Sequence, residues 1–139
     1  MSLSIRNQLP GTVTSVTPGE VMATVKVRLD AGQEITAAVT LEAVHELALS
    51  SGSTVRALIK STEVSLATAP VDGVSIRNQL PGTVTEVASG GAMARVKMRI
   101  AGGELTSAIT KDAVKELGLS AGSPVVALIK STEVALSNA

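Results

Sequence analysis

The chain of 139 residues contains no cysteine and no phenylalanine, tyrosine or tryptophan. The absence of cysteine excludes disulfides, thiolate metal sites and a cysteine nucleophile. The absence of aromatic side chains removes the platforms on which single-stranded nucleic acids stack their bases. A core of small aliphatic side chains also buries less area per residue, and small units of this kind often gain burial by oligomerising. We therefore expect a homo-oligomer with apolar contacts between subunits.

The charges of the chain cancel, with 12 basic and 12 acidic residues and a formal net charge of zero at pH 7. A neutral chain argues against nucleic acid or an acidic membrane surface as a general partner. The amino terminus lacks the basic start and long apolar core of a signal peptide, and no apolar run is long enough to span a bilayer. These features predict a cytoplasmic protein.

The sequence contains two tandem copies of one module. Residues 4–14 (SIRNQLPGTVT) recur unchanged as residues 75–85, and residues 58–64 (LIKSTEV) recur as residues 128–134. Such agreement indicates a tandem duplication, so a site in one copy is expected at the same internal positions of the other. The predicted organisation is a first domain at residues 1–67, a linker at 68–73 and a second domain at 74–139.

Each copy has the pattern of a small β-barrel. In the first copy, residues 21–29 alternate between apolar and polar side chains, and further strands are expected after a Pro10-Gly11 turn, on both sides of a hairpin at residues 30–33, and at residues 54–60. A last strand at residues 62–66 is expected to close the barrel of its own copy. Thr40 is a predicted N-cap of one short helix. The predicted fold class is all-β with one short helix per repeat, as two tandem five-stranded Greek-key barrels of the OB type.

Catalysis finds little support in the residues. His45 is the single histidine, and the second copy has Lys115 at the equivalent position, which is typical of a solvated helix position rather than of a base or ligand. Serine is abundant, but no nucleophile elbow accompanies it. The acidic residues are scattered rather than clustered, and no phosphate-binding loop of the Walker type is present.

A set of cations, amides and hydroxyls does recur in both copies. The set comprises Ser4, Arg6, Asn7, Thr40, Lys60 and Ser61 in the first copy, and Ser75, Arg77, Asn78, Thr110, Lys130 and Ser131 in the second. Guanidinium forks, ammonium groups, hydroxyls and a helix start suit a small tetrahedral oxyanion. From composition alone, Arg6 and Lys60 are equally compatible with solvated surface charges. The acidic residues Glu42 and Asp112 in the first helical turns would have to point away from such an anion.

The motifs SIRNQLPG and IKSTEV resemble those of the Mop, or molybdate-binding, domain family, and the resemblance covers nearly the whole chain twice. A tandem of this kind is similar to the cytoplasmic di-Mop proteins of molybdate storage and homeostasis. The resemblance implies an OB-related five-stranded barrel, a homotrimer of tandem chains, and molybdate or tungstate bound between units without any catalytic cofactor or direct protein ligand to the metal.

Carried over by position, the resemblance places Ser4, Arg6 and their duplicates at the oxyanion, with the Lys-Ser pairs at 60–61 and 130–131 beside them. The threonine before each helix matches a position that reaches the anion from the adjoining unit. Some relatives carry a serine one helical turn later, where this chain has Ala43 and Ala113.

The leading hypothesis is non-catalytic binding of molybdate or tungstate for storage, buffering or homeostasis. The alternative is a molybdate-sensing module, regulatory or associated with transport, that acts through a separate partner protein. In some members of the family the module is fused to a DNA-binding domain or a transporter ATPase. An enzyme and a nucleic-acid-binding barrel are less favoured hypotheses. The chain lacks the catalytic motifs that an enzyme needs and the aromatic side chains on which nucleic-acid bases stack.

Overall fold

The structure is a computed structural model that describes residues 2–139, and it contains two curled five-stranded sheets with one short helix in each repeat. The strands are β1 (Asn7–Pro18), β2 (Met22–Leu29), β3 (Glu34–Thr40), β4 (Thr54–Ile59), β5 (Ser65–Ala67), β6 (Asn78–Ser89), β7 (Met93–Ile100), β8 (Gly103–Thr110), β9 (Pro124–Ile129) and β10 (Ala135–Asn138). The helices are α1 (Leu41–Glu46) and α2 (Lys111–Leu117), and 3₁₀ turns lie at Ser61–Glu63 and Ser131–Glu133. The predicted fold class is confirmed.

The alternating pattern of β2 gives the sheet its two faces. Ala23, Val25, Val27 and Leu29 are buried, whereas the intervening side chains of this strand are exposed. Val21, which continues the pattern in the sequence, lies before the strand and is 73% exposed. The buried side chains of the two repeats belong to one apolar cluster, built without a single aromatic ring.

The predicted turn at Pro10-Gly11 is wrong, because both residues lie inside β1. The glycine instead allows β1 to approach the neighbouring strand β2 closely. A Cβ atom at Gly11 would lie 2.7 Å from the carbonyl oxygen of Arg28 on the neighbouring strand, and the duplicate Gly82 is equally crowded by Arg99. Glycine is therefore required here by the spacing of β1 and β2 rather than by a turn.

The helix start and the first hairpin agree with their predictions. Thr40 is the N-cap of α1, and its Oγ1 accepts a hydrogen bond of 3.1 Å from the Ala43 amide. Thr110 caps α2 in the same way, with the same distance to the Ala113 amide. The second hairpin is shorter than the first, because Ile100 pairs directly with Gly103 across a two-residue turn.

The last strand of each repeat completes the sheet of the other repeat. The sheet orders are β10-β4-β1-β2-β3 and β5-β9-β6-β7-β8, with Leu136 opposite Ala57 and Leu66 opposite Ala127. The expectation that residues 62–66 close their own barrel is therefore wrong. The physical reason lies in the duplication itself. The segment leading into each last strand is identical in both copies, so local sequence does not distinguish pairing within a repeat from pairing between repeats.

One further hydrogen bond joins the two repeats, at the junction where their last strands are exchanged, and it has no counterpart in the other copy. Ser107 in β8 is fully buried, and its Oγ donates to the carbonyl oxygen of Val64 at 2.6 Å. The equivalent residue in β3 is Ala37, which has no hydroxyl.

In residues 2–139, no helix has the length and apolar character that a membrane crossing requires.

Removing β10 should open the first sheet and leave the second one closed. A variant that ends at Val134 lacks the partner of β4, so the β4 amides that face β10 should exchange with solvent faster. Hydrogen exchange read by residue measures this directly. The matched variant is Leu66→Pro in β5, which should instead expose the amides of β9. Faster hydrogen exchange at β9 in the truncated chain would contradict the pairing of β10 with β4.

Candidate functional site

Two asparagine amides join the repeats. Asn7 Nδ2 donates to the carbonyl oxygen of Thr106 at 2.9 Å, and the Thr106 amide donates back to Asn7 Oδ1 at 2.8 Å. Asn78 makes the reciprocal pair with Thr36, with both distances 2.8 Å. The two asparagines are 2% and 3% exposed. Because β3 and β8 are the end strands of their sheets, these amides satisfy backbone groups that would otherwise form open edges.

This geometry bears on the predicted site, because Asn7 and Asn78 were expected near an oxyanion. Each side chain uses its oxygen and its nitrogen to hold the opposite repeat. Each asparagine thereby fixes the start of its strand, next to Arg6 or Arg77 in the chain.

A cavity of about 480 Å³ lies beside the Asn7 amide pair, between the repeats. Its lining residues are Arg6, Ser61, Arg95, Lys97, Thr106 and Ala108. The first two belong to the first repeat, and the others lie on β7 and β8 of the second repeat. Three cationic side chains and two hydroxyl-bearing side chains thus face one space, which is a donor set for an anion.

Arg6 and Ser61 both keep unused hydrogen-bond donors. The Arg6 guanidinium donates from Nε to the Ser4 carbonyl oxygen at 3.3 Å and from one Nη to the Leu3 carbonyl oxygen at 3.0 Å. A guanidinium has about five N–H groups, so more than half of its donors remain. Ser61 Oγ is buried and has no hydrogen-bond partner among residues 2–139, and the same is true of its duplicate, Ser131 Oγ. A buried hydroxyl of this kind points to a bound ligand or water.

Arg95 also has a carboxylate partner. Its Nη2 lies 2.7 Å from Glu86 Oε1, and both side chains are about half exposed. The hydrogen bond from Arg95, together with the positive charges of Arg95 and Lys97, lowers the pKa of Glu86 below its ordinary value. Glu86 is therefore ionised at neutral pH, and it offsets part of the positive charge around the cavity.

Lys60 lines a different cavity from Arg6 and Ser61. Lys60 lines a second cavity, of about 290 Å³, together with Glu63 and Glu133. The predicted meeting of Arg6, Lys60 and Ser61 is thus seen only for Arg6 and Ser61 within this chain. Lys60 immediately precedes Ser61, so the two cavities lie close together along the chain.

Arg77 has different neighbours from Arg6. It lines a cavity of about 410 Å³ with Glu34, Asp72 and Gln79. The Gln79 amide binds the linker, accepting from the Val71 amide at 3.1 Å and donating to the Val71 carbonyl oxygen at 2.8 Å. The linker, and Asp72 with it, is thereby held beside the second arginine.

The remaining predicted residues are exposed. Ser4, Ser75 and Lys130 are solvent-accessible, and so are Thr40 and Thr110, whose hydroxyl oxygens accept from the helix amides and whose O–H groups can still donate. Sequence reasoning missed Arg95 and Lys97. Arg95 is replaced by Thr24 in the first copy, so a search for repeated polar residues passes over it. Lys97 does repeat, as Lys26, but it follows the polar alternation of a strand.

Comparison with known proteins identifies the repeated module. The TOBE domain family matches residues 3–66 and again residues 74–136. The chain belongs to this family. The molybdenum transport protein ModE of Azotobacter vinelandii is 38% identical over 138 residues, which are 99% of this chain and 51% of ModE. The molybdenum-pterin-binding protein MopB of Rhodobacter capsulatus is 39% identical over 136 residues, which are 96% of this chain and 50% of MopB. The chain thus spans about half the length of these curated relatives.

One solved structure matches the chain from end to end. The cytoplasmic molybdate-binding protein ModG, crystallised with molybdate bound, superposes with a TM-score of 0.97 and 40% sequence identity, and the match covers 100% of both chains. The tandem TOBE architecture described above is therefore shared with ModG over its whole length.

Replacing Asn7 with alanine should destabilise the junction without touching a cation. The Thr106 amide and carbonyl would lose their partners in a buried place, at a cost of about 1–3 kcal/mol in the free energy of unfolding. Urea denaturation measures the change, and Asn78→Ala should give a similar loss. Asn138→Ala, at an exposed strand end, is the control and should be nearly neutral. Equal effects of all three substitutions would contradict the role of the amide pairs.

Proposed function

We propose that this protein binds molybdate reversibly and without chemical conversion, and that it serves as a cytoplasmic store or buffer of the oxyanion. One observation carries the proposal. Arg6, Arg95, Lys97 and Ser61 line a single cavity between the repeats, and the Ser61 hydroxyl is buried without a hydrogen-bond partner among residues 2–139. The end-to-end match to ModG supports molybdate as the anion.

The chemistry of the cavity suits a divalent tetrahedral anion. Removing such an ion from water is costly unless cations and directed donors replace its hydration. Arg6 and Arg95 offer planar forks of N–H groups, Lys97 offers a compact charge, and Ser61 offers an O–H donor. Ser4, Lys60 and Thr40 do not line this cavity and stay predicted donors to the anion, Asn7 positions the arginine, and the duplicated residues form the second site. Tungstate has the same charge and shape, so we expect it to compete.

The placement of the site also explains how binding could act on the protein. Because both repeats line the cavity, an anion that binds only the closed junction stabilises that junction by mass action. The single histidine, His45, lies exposed on α1 and outside the cavity.

Removing both duplicated arginines should abolish tight binding. The double variant Arg6→Ala and Arg77→Ala loses a charged donor at each site, and each such hydrogen bond is worth about 1.5–3 kcal/mol, or about tenfold or more in Kd. Equilibrium dialysis against molybdate, with molybdenum quantified by mass spectrometry, measures affinity and stoichiometry. The matched control removes another duplicated and exposed pair, Arg28→Ala with Arg99→Ala. Unchanged binding in the first variant would reject the assignment.

We further propose that the chain assembles as a homotrimer. Apolar side chains are exposed at equivalent tips of the two repeats: Val21 is 73% exposed, Met22 45% and Met93 48%. A second copy would cover such side chains, and a core without aromatic rings gains from that burial.

Native mass spectrometry should therefore give three times the mass of one chain, and Val21→Asp together with Met93→Asp should shift the assembly toward monomer. The double substitution of Glu20→Asp and Gly91→Asp next to these tips is the control. A monomer in the wild type would reject the trimer.

A sensing role is the second candidate, favoured by the match of nearly the whole chain to ModE, which is named a molybdenum transport protein and, in Yersinia pestis, a transcriptional regulator. Here the chain would act through a separate partner. Affinity capture with and without molybdate separates the roles, because a ligand-dependent partner favours sensing over storage.

A further inference from the structure

The residues that line the Arg6 cavity differ in charge from their duplicates in the other repeat, although the flanking motifs are identical. β7 has Arg95 where β2 has Thr24, and β6 has Glu86 where β1 has Ser15. The Arg95–Glu86 ion pair, with its 2.7 Å contact, therefore exists on one side of the molecule only. Lys97 is matched by Lys26, so it does not distinguish the two sides.

We propose that Arg95 is an affinity-determining residue that makes the Arg6–Ser61 cavity the tighter of two unequal oxyanion sites, and that Glu86 weakens this site by competing for Arg95. This inference rests on the proposed function. It goes further, because it assigns different affinities to sites that the duplication would make equal.

The order of the strands decides which of the two added charges dominates. Glu86 lies on β6, the cationic pair lies on β7, and the cavity wall at Thr106 and Ala108 lies on β8. Glu86 thus approaches Arg95 from the side opposite the cavity, and it is absent from the cavity lining. Because electrostatic energy falls with distance, the arginine in the wall acts on a bound anion more strongly than the carboxylate behind it.

Arg95 also retains donors for an anion. Its one hydrogen bond in the structure engages Nη2, so most of the roughly five N–H groups of the guanidinium stay available. A bound dianion carries twice the charge of Glu86, so it competes well for the same fork.

The second arginine, Arg77, lies beside acidic residues that disfavour an anion. Arg77 shares its cavity with Glu34 and Asp72. Glu34 has a counterpart in Glu104, but Asp72 belongs to the linker, which the Gln79 amide holds in place through Val71. A carboxylate beside Arg77 repels an anion there. Both differences therefore favour the cavity of Arg6.

Exchanging the differing residues between the copies tests the inference. Molybdate titrations followed by isothermal calorimetry should resolve two affinity classes in the wild type. Arg95→Thr, which installs the residue of the other copy, should weaken the tight class by about tenfold without changing the stoichiometry. Thr24→Arg should strengthen the weak class, and Glu86→Ser should tighten the first class by a few-fold. Arg99→Thr removes an exposed cation from the same strand and should leave both classes unchanged.

The outcomes separate this inference from the proposed function. If Arg95→Thr leaves the titration unchanged while Arg6→Ala weakens it, the inequality of the sites is wrong and molybdate binding stands. A single affinity class in the wild type has the same meaning. If the wild type shows no heat and no molybdate in dialysis, the proposed function fails and the inference falls with it. Circular dichroism of each variant excludes unfolding as the cause.

Discussion

The reciprocal contact between the repeats is the constraint on which the rest of the structure depends. Neither repeat completes its own sheet, since β10 pairs with β4 and β5 pairs with β9. The asparagine amides then cover the far ends of the same two sheets, at β8 and β3. A chain without disulfides or aromatic rings thus obtains one continuous apolar cluster from two small units. Because each unit supplies parts of the other, the walls of the cavity are fixed relative to each other.

Duplication preserved the geometry of the junction and let its charges diverge. The amide pairs and the helix caps occur on both sides with nearly equal distances, and a buried serine hydroxyl without a partner among residues 2–139 also occurs in each repeat. The Arg95–Glu86 ion pair and the Ser107 hydrogen bond occur on one side only. This division has a physical basis. A lost backbone partner in a buried junction is costly, whereas a half-exposed charge changes the free energy of unfolding little and alters mainly what the surface attracts.

Much of the fold could be predicted from the sequence, because its signals are local. Alternation in β2, the N-cap at Thr40 and the hairpin at residues 30–33 depend on residues close in the chain. The errors concern distant contacts. Pro10-Gly11 looks like a turn until the carbonyl of Arg28 is placed against it. The strand exchange is hidden because both copies offer the same partners. Of the candidate site, the repeated set led to Arg6 and Ser61, but Arg95 is unrepeated and only the packing of β7 against the other repeat reveals it.

A ligand placed at such a junction links occupancy to the integrity of the whole chain. The Arg6 cavity has walls from both repeats, so opening the junction separates the cations that an anion would bridge. Three like charges facing one space also repel one another when no anion is present, and Glu86 relieves part of that repulsion. The carboxylate that weakens binding in our proposal thus stabilises the empty site. In our proposal the site releases its anion as well as holding it, and this ion pair on one side of the duplication acts on both the bound and the empty state.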